Sequence, residues 1–308
     1  MSAVFLLQQC LIGLTNGGLI ALVAIGYTMV YGVLRFINFA HGDLIMLGAC
    51  AALTLVGPLG LAPTGTPPTA ATWLRIAGLV LLCGLFCGGL NVAVDRLVYR
   101  PLRNAPALAP LVSAIGVSFI FMNIGLAWIG PADRGFPQVL PAANLLPGKG
   151  VQFGWKDLLV VAVVVPLIAA IMTLMRATRL GKALRAVVQD RTAAALVGID
   201  IDRAVGTTFF LAGFLGGAAS VVASLYTNTI GYQMGFQSGL YALTAAVLGG
   251  LGSIRGAVAG GLVVGLVRAL STAYAGERWA GAIVFALLIV VLVFRPEGLL
   301  GRRERERA

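Results

Sequence analysis

The chain has 308 residues, of which 59% are hydrophobic and 11% charged. An average soluble domain carries roughly a quarter charged residues, and so few charges leave a water-exposed surface uncovered, which excludes a soluble enzyme. Twenty-two Lys and Arg against 11 Asp and Glu give a net charge of +11, but these charges fall in gaps between long apolar runs. They read as loops facing an anionic leaflet rather than as a nucleic-acid surface.

A bilayer-crossing helix needs about 20 mostly apolar residues. Runs of that kind lie near 5–34, 43–57, 73–94, 107–130, 157–176, 206–226, 238–253, 256–275 and 279–294. The expected fold is therefore an all-α polytopic membrane protein with eight or nine transmembrane helices. The first run is long, and Asn16-Gly17-Gly18 is a candidate break. It does not read as a cleavable leader, because residues 1–9 carry no Lys or Arg. The run near 238–253 is short, so a broken or re-entrant segment is expected around 238–256.

Loop charge sets the expected orientation. Sixteen of the 22 cations fall on one alternating set of loops, among them Arg35, Arg96, Arg100, Arg103 and the cluster from Arg176 to Arg203. The positive-inside rule places that set in the cytoplasm, with an outside N-terminus, an inside C-terminus and nine crossings. The chain then divides into a single transmembrane domain over 1–308 with a cytoplasmic segment at 177–205, an external loop at 131–156 and a basic tail at 295–308. Trp73, Trp128, Trp155 and Trp279 fall at span ends, where indole favours the interface. Arg268 is expected to snorkel from a span to the outer surface.

Cys10, Cys50, Cys83 and Cys87 all lie in apolar runs and read as packing residues; with a single His there is no metal-site pattern. Small-xxx-small spacings are dense, as in Gly84/Gly88, Gly213/Gly217 and Gly261/Gly265, and suit close helix approach. Gly249, Gly250, Gly252 and Gly256 form a denser run, expected to belong to a broken or closely packed helix lining a cavity. Asn38-Phe39-Ala40-His41-Gly42-Asp43 is the concentrated polar patch of the first half. Asn38 or Asp43 is expected to cap the next helix, and a helix N-terminus there is also suited to a polar or anionic ligand. No acid is placed clearly inside a span, which disfavours a stand-alone channel or secondary transporter. A single His disfavours a membrane enzyme.

Segment 180–191 is basic, amphipathic and helix-prone, with Gly198 as a stop. Its apolar face, made by Leu184, Val187 and Val188 with Ala195 and Leu196 beyond, is expected to dock into a partner. No phosphate loop is present: Gly148-Lys149 and Gly181-Lys182 lack the spacing and the hydroxyl. This chain therefore cannot itself be an ATPase, and any ATP coupling must arrive through a partner.

Tyr27 through Asp43 (YTMVYGVLRFINFAHGD), Gly181 through Gly198 and Ala245 through Ala257 (AAVLGGLGSIRGA) together resemble the branched-chain amino acid ABC transporter permeases of the LivH type. The resemblance covers nearly the whole chain in order. It implies an importer subunit of the bacterial inner membrane, not an enzyme, with no cofactor of its own because ATP is bound by partner subunits. The implied partners are a second, LivM-like permease, two cytoplasmic ATPases and a periplasmic binding protein delivering Leu, Ile or Val; urea and short-amide permeases of the same family are the alternative. Permeases of ABC importers carry a coupling helix of pattern Glu-Ala-Ala, three residues, Gly, which Thr192-Ala193-Ala194 and Gly198 match except for Thr192 in place of Glu. The resemblance thus assigns Arg185, Asp190, Arg191, Thr192, Ala193, Ala194 and Gly198 to coupling. Asn38, His41 and Asp43, with Gly249, Gly250, Gly252 and Gly256, are the expected substrate-pathway residues.

Overall fold

The computed structural model describes residues 3–63, 67–103, 105–106, 108–146 and 150–301. Lys149 and the arginines of the expected basic tail from Arg302 onward lie outside the described residues. Seven helices are long and apolar enough to cross a membrane: α1 (Ala3–Leu34), α3 (Ala70–Val94), α4 (Leu108–Ile129), α5 (Trp155–Ala177), α8 (Ile201–Thr227), α10 (Ile254–Ala275) and α11 (Glu277–Phe294). Two shorter helices, α2 (Ala40–Val56), which is apolar, and α9 (Met234–Gly249), bring to nine the helices that run along the bundle among the described residues. Two more, α6 (Arg179–Gln189) and α7 (Arg191–Leu196), lie between α5 and α8. The chain is an all-α, multi-pass membrane protein.

The helices alternate between two ends. At one end the two-residue strands β1 (Arg134–Gly135) and β2 (Thr229–Ile230) pair antiparallel, close to the start of α5. Asn228 organises this β end. It closes α8 in the left-handed region (φ 54°), which Asn tolerates better than most residues. Its carbonyl accepts from Phe136 N at 2.8 Å, and its side chain accepts from Lys156 Nζ. Gln8 ties α1 to the same loop through the backbone of Gln152. At the opposite, basic end, a π-helical turn (Asp95–Tyr99) prolongs α3. There Arg103 bonds Asp95 at 2.9 Å and Asp202 at 2.5 Å.

Of the seven long helices, α1 and α8 are the most buried, whereas α4, α5 and α11 face largely outward. Small residues explain the centre. A Cβ on Gly213 or Gly217 would collide with the backbone of Cys87 or Cys83, and Gly84 and Gly88 lie beneath Phe214 and Phe210. The spacing read in the sequence is therefore the α3–α8 contact. Cys50, Cys83 and Cys87 are buried free thiols, as expected of packing residues.

Three expectations change. Asn16-Gly17-Gly18 does not break α1, because Gly17 is spent on packing: its Cβ would lie 2.9 Å from Leu262 Cα on α10, and Gly265 meets Gly17 in return. α9 is not re-entrant either. It leaves β2 at one end and finishes at the other, where Leu299 and Leu300 N–H groups donate to its Leu248 and Gly249 carbonyls at 2.8 and 3.0 Å. Arg268 does not simply snorkel: its guanidinium pairs with Glu277 at 3.1 Å and sits 4.6 Å over the Tyr241 ring.

Candidate functional site

The first site is the N-terminus of α2. From Arg35 (φ 63°) the chain turns back into the bundle, and α2 starts well inside it. A Cβ on Gly26 of α1 would clash with His41 Nε2 and lie 3.3 Å from the Ala212 carbonyl, while one on Gly216 would lie 3.7 Å from His41 Cε1. Ala212 to Gly216 is the middle of α8. Asp43 Oδ2 accepts from Ser118 Oγ, at the middle of α4. A helix thus begins at mid-depth, with the positive end of its dipole inside the protein.

Its polar groups are almost wholly enclosed: Asn38, His41 and Asp43 are 2%, 0% and 1% exposed. Asn38 Oδ1 accepts from Ala40 N at 3.1 Å, two residues on and just outside the N-cap position held by Phe39, and from Tyr99 Oη at 2.7 Å. Asp43 turns to Ser118, so neither Asn38 nor Asp43 is the N-cap expected from the sequence. The placement of every acid outside the spans is overturned by the same residue, since Asp43 lies at mid-depth in a fully buried turn. Several polar atoms here have no partner: Asn38 Nδ2, Asp43 Oδ1, Thr28 Oγ1 and both ring nitrogens of His41. The Val23 carbonyl is near the imidazole without forming an aligned bond. His41 packs edge-on against Tyr27, ring centroids 4.8 Å apart. Buried polar atoms are nearly always paired, so a cluster of unpaired ones at a helix N-terminus is chemically unspent.

A seam beside the cluster, lined by Tyr27, Phe39, Gly42, Phe236, Gly239 and Leu240, encloses about 10 Å³. That is about the space of one water, so the seam is shut. It shuts through glycine: a Cβ on Gly42 would lie 2.8 Å from the Gly235 carbonyl and 2.9 Å from Gly239 Cα, which brings the α2 and α9 backbones together. Tyr27, Thr28, Tyr99, Ser118 and Gly239 went unread in the sequence. They come from α1, the π-helical turn after α3, α4 and α9, and the signal that was available is a hydroxyl or glycine inside an apolar run.

Gly249, Gly250, Gly252 and Gly256 do not join this cluster. Gly249 and Gly256 meet backbone to backbone between α9 and α10, and Gly250 and Gly252 take φ of 102° and 88° in the turn. Neither described cavity is lined by them. Gly249 and Gly256 serve the close approach of α9 and α10 at the basic end.

The second site is α6–α7, also at the basic end. Gly181 permits the α5–α6 corner, because a Cβ there would strike the Met175 backbone. Leu184 and Val187 are buried and Val188 lies against Gly32. The apolar face expected to meet a partner is therefore already used against the chain's own bundle. Arg185 donates to the Met175 carbonyl and Arg191 to the Val33 carbonyl, so both satisfy acceptors near the ends of α5 and α1. Burial, with Arg103 and Arg35 nearby, lowers the Arg191 pKa, although an arginine stays charged. Asp190 caps α7 by accepting from Ala193 N at 3.0 Å. Ala194 is buried, and Gly198 (φ 83°) turns the chain, with Ile199 N returning to the Ala194 carbonyl at 3.0 Å. What projects outward is Thr192, Ala193, Leu196 at 85% and Val197 at 75% exposure.

Residues 9–292 match the family model described as "Branched-chain amino acid transport system / permease component". The chain is 37% identical over 308 residues to the high-affinity branched-chain amino acid transport system permease protein BraD of Pseudomonas aeruginosa, with 98% of this chain and 97% of that protein covered. It is 36% identical to the corresponding LivH proteins of Salmonella typhimurium and Escherichia coli, with 98% of each chain covered. Among solved structures, PsaBC from Streptococcus pneumoniae in complex with Fab shares the fold with a TM-score of 0.53 and 14% identity, over 95% of this chain and 92% of that one. A multi-pass helical body matched by this family over nearly its whole length places the chain in the branched-chain amino acid transport permease family.

Proposed function

We propose that the chain is a permease subunit of an ABC importer for branched-chain amino acids in the bacterial inner membrane. Its basic end lies in the cytoplasm, its β end in the periplasm. A second permease of LivM type stands beside it, two ATPases bind and hydrolyse ATP at the basic end, and a binding protein delivers Leu, Ile or Val to the β end. The 36–37% identity to BraD and LivH over whole chains carries the substrate class. The distribution of cations supports the orientation.

The translocation site in this reading is the mid-depth start of α2. An amino acid is a zwitterion with an apolar side chain. Asp43 Oδ1 is an acceptor for its ammonium group, while the α2 N-terminus, Asn38 Nδ2 and His41 face its carboxylate. Tyr27, Phe236 and Leu240 offer apolar wall to the side chain. The unmet hydrogen bonds of Asn38, His41 and Asp43 are satisfied as the α2–α9 seam parts, so opening exchanges a glycine contact for ligand contacts. No covalent step is involved.

Coupling runs through α7. Leu196 and Val197 are apolar, exposed and fixed by the Asp190 cap and the Gly198 turn, which suits insertion into a groove on an ATPase. The test is transport by the assembled importer in proteoliposomes. Leu196→Asp is expected to cut uptake by about tenfold or more, the scale of a central interface residue, while the purified subunit keeps its melting temperature. Undiminished, ATP-driven uptake by that variant would remove α7 from the coupling role.

A further inference from the structure

A cleft of about 530 Å³, much larger than the α2 seam, lies at the basic end between the end of α3 and the start of α8. Arg96, Arg100, Arg103 and Arg203 line it against two aspartates, Asp95 and Asp202. Its charges are not equally committed. Arg103 is held by both aspartates, Arg100 by Asp202, and Arg203 by Asp200 at 3.0 Å. Arg96 is exposed and, among the described residues, forms no ion pair. The deep wall is apolar, made by Val92 and Phe210, and Gly206 leaves it open because a Cβ there meets nothing within 4 Å.

The cleft also has a direction. Arg96 ends an outward apolar stripe on α3: Leu82, Leu85 and Phe86 are 43%, 46% and 40% exposed, Gly89 faces open space, and Leu97 beside Arg96 is 78% exposed. A ligand lying on this surface meets hydrocarbon for three turns and then a cluster of arginines at the membrane margin. Its chemistry must be apolar along its length and anionic at its head.

We infer that this cleft is a binding site for an anionic phospholipid, with the headgroup phosphate on Arg96 and Arg203 and an acyl chain along α3. Basic pockets between helix ends on the cytoplasmic side have the charge for this. An arginine fork engages phosphate through two parallel N–H bonds. The Asp202 ion pairs hold Arg100 and Arg103 in place and keep them from repelling one another, so the floor is built before the lipid arrives.

The full chain in a neutral detergent, supplied with equal phosphatidylglycerol and phosphatidylcholine, tests this by native mass spectrometry. Phosphatidylglycerol is expected to be retained in preference, with the excess shrinking as salt rises. Arg96→Gln and Arg203→Gln should each weaken that preference about fivefold, and Arg96→Lys should restore most of it. Arg75→Gln, at the far end of α3, should change nothing. Each variant's melting temperature in detergent identifies one that has failed to fold, and Arg96→Gln breaks no ion pair. Equal retention of the two lipids, or an unchanged preference in the folded Arg96→Gln/Arg203→Gln double variant, overturns the proposal. Stabilisation by inorganic phosphate as large as that by the lipid would assign the cleft to a free anion and overturn it too.

Discussion

Asp43 is the residue on which the translocation proposal can be tested most directly. It sits in the first turn of α2, where a carboxylate complements the helix dipole, and one of its oxygens is held by Ser118 while the other is free. Asp43→Asn keeps the shape and a partner for Ser118 but removes the charge offered to an ammonium group. Uptake by the assembled importer is expected to fall tenfold or more, consistent with the roughly 1.5–3 kcal/mol of a hydrogen bond to a charged group. The protein's yield and melting temperature should stay near wild type. Gly26→Ala tests the packing instead. The added methyl collides with the His41 ring, so this change should lower stability by about 1–3 kcal/mol, as overpacking does, read as a lower melting temperature in detergent. The Asn38–Asp43 patch was legible in sequence because charge and amide are conspicuous beside apolar runs. Its depth was not, because local composition cannot tell a loop at the surface from one that turns back inside. The partners that fix the depth, Gly26, Ser118 and Ala212, are ordinary span residues on three other helices.

At the scale of elements, α6 and α7 divide two tasks that the sequence presents as one amphipathic stretch. α6 spends Leu184 and Val187 on its own bundle, and its flanking arginines satisfy the Met175 and Val33 carbonyls. α7, six residues long, presents Leu196 and Val197 outward. Charge reversal at Arg191 is therefore expected to damage folding before coupling: Arg191→Glu leaves the Val33 carbonyl unpaired and should lower the melting temperature, whereas Leu196→Asp should lower uptake alone. The periodicity of α6 was readable, since apolar residues recur at helical spacing. Which body the apolar face meets was not, because periodicity specifies a buried face and not its owner. The glycine ladder has the same ambiguity. Gly249 and Gly256 mark a close approach in sequence, and only the α9–α10 pairing shows that the approach is between neighbours rather than around a ligand.

For the whole molecule, the alternation of nine helices gives two ends, and the closing stretch belongs to the basic one. Leu299 and Leu300 extend the hydrogen bonding of α9 after its last turn, which joins the end of the described chain to the α9–α10 corner. Leu299→Pro removes the donor to Leu248 and should lower the melting temperature by the few degrees that about 1 kcal/mol represents, with Leu299→Ala as the neutral comparison. The two ends also make the orientation measurable. Three of the native cysteines are buried and Cys10 is half-buried, so a Cys10→Ala background leaves little to react with an impermeant maleimide. Thr192→Cys on α7 and Gln138→Cys in the β-end loop are both exposed positions. With 16 of the 22 cations assigned to one side, Gln138→Cys should label in intact cells and Thr192→Cys only in inverted vesicles. Labelling of Thr192→Cys from outside would turn the molecule over: the ATPases would lose access to α7, and the arginine cleft would face the wrong leaflet. A cytoplasmic α7 agrees with the orientation proposed from the charge distribution, in which the amino acid would enter at the β end and the work of opening the α2–α9 seam would be applied from below.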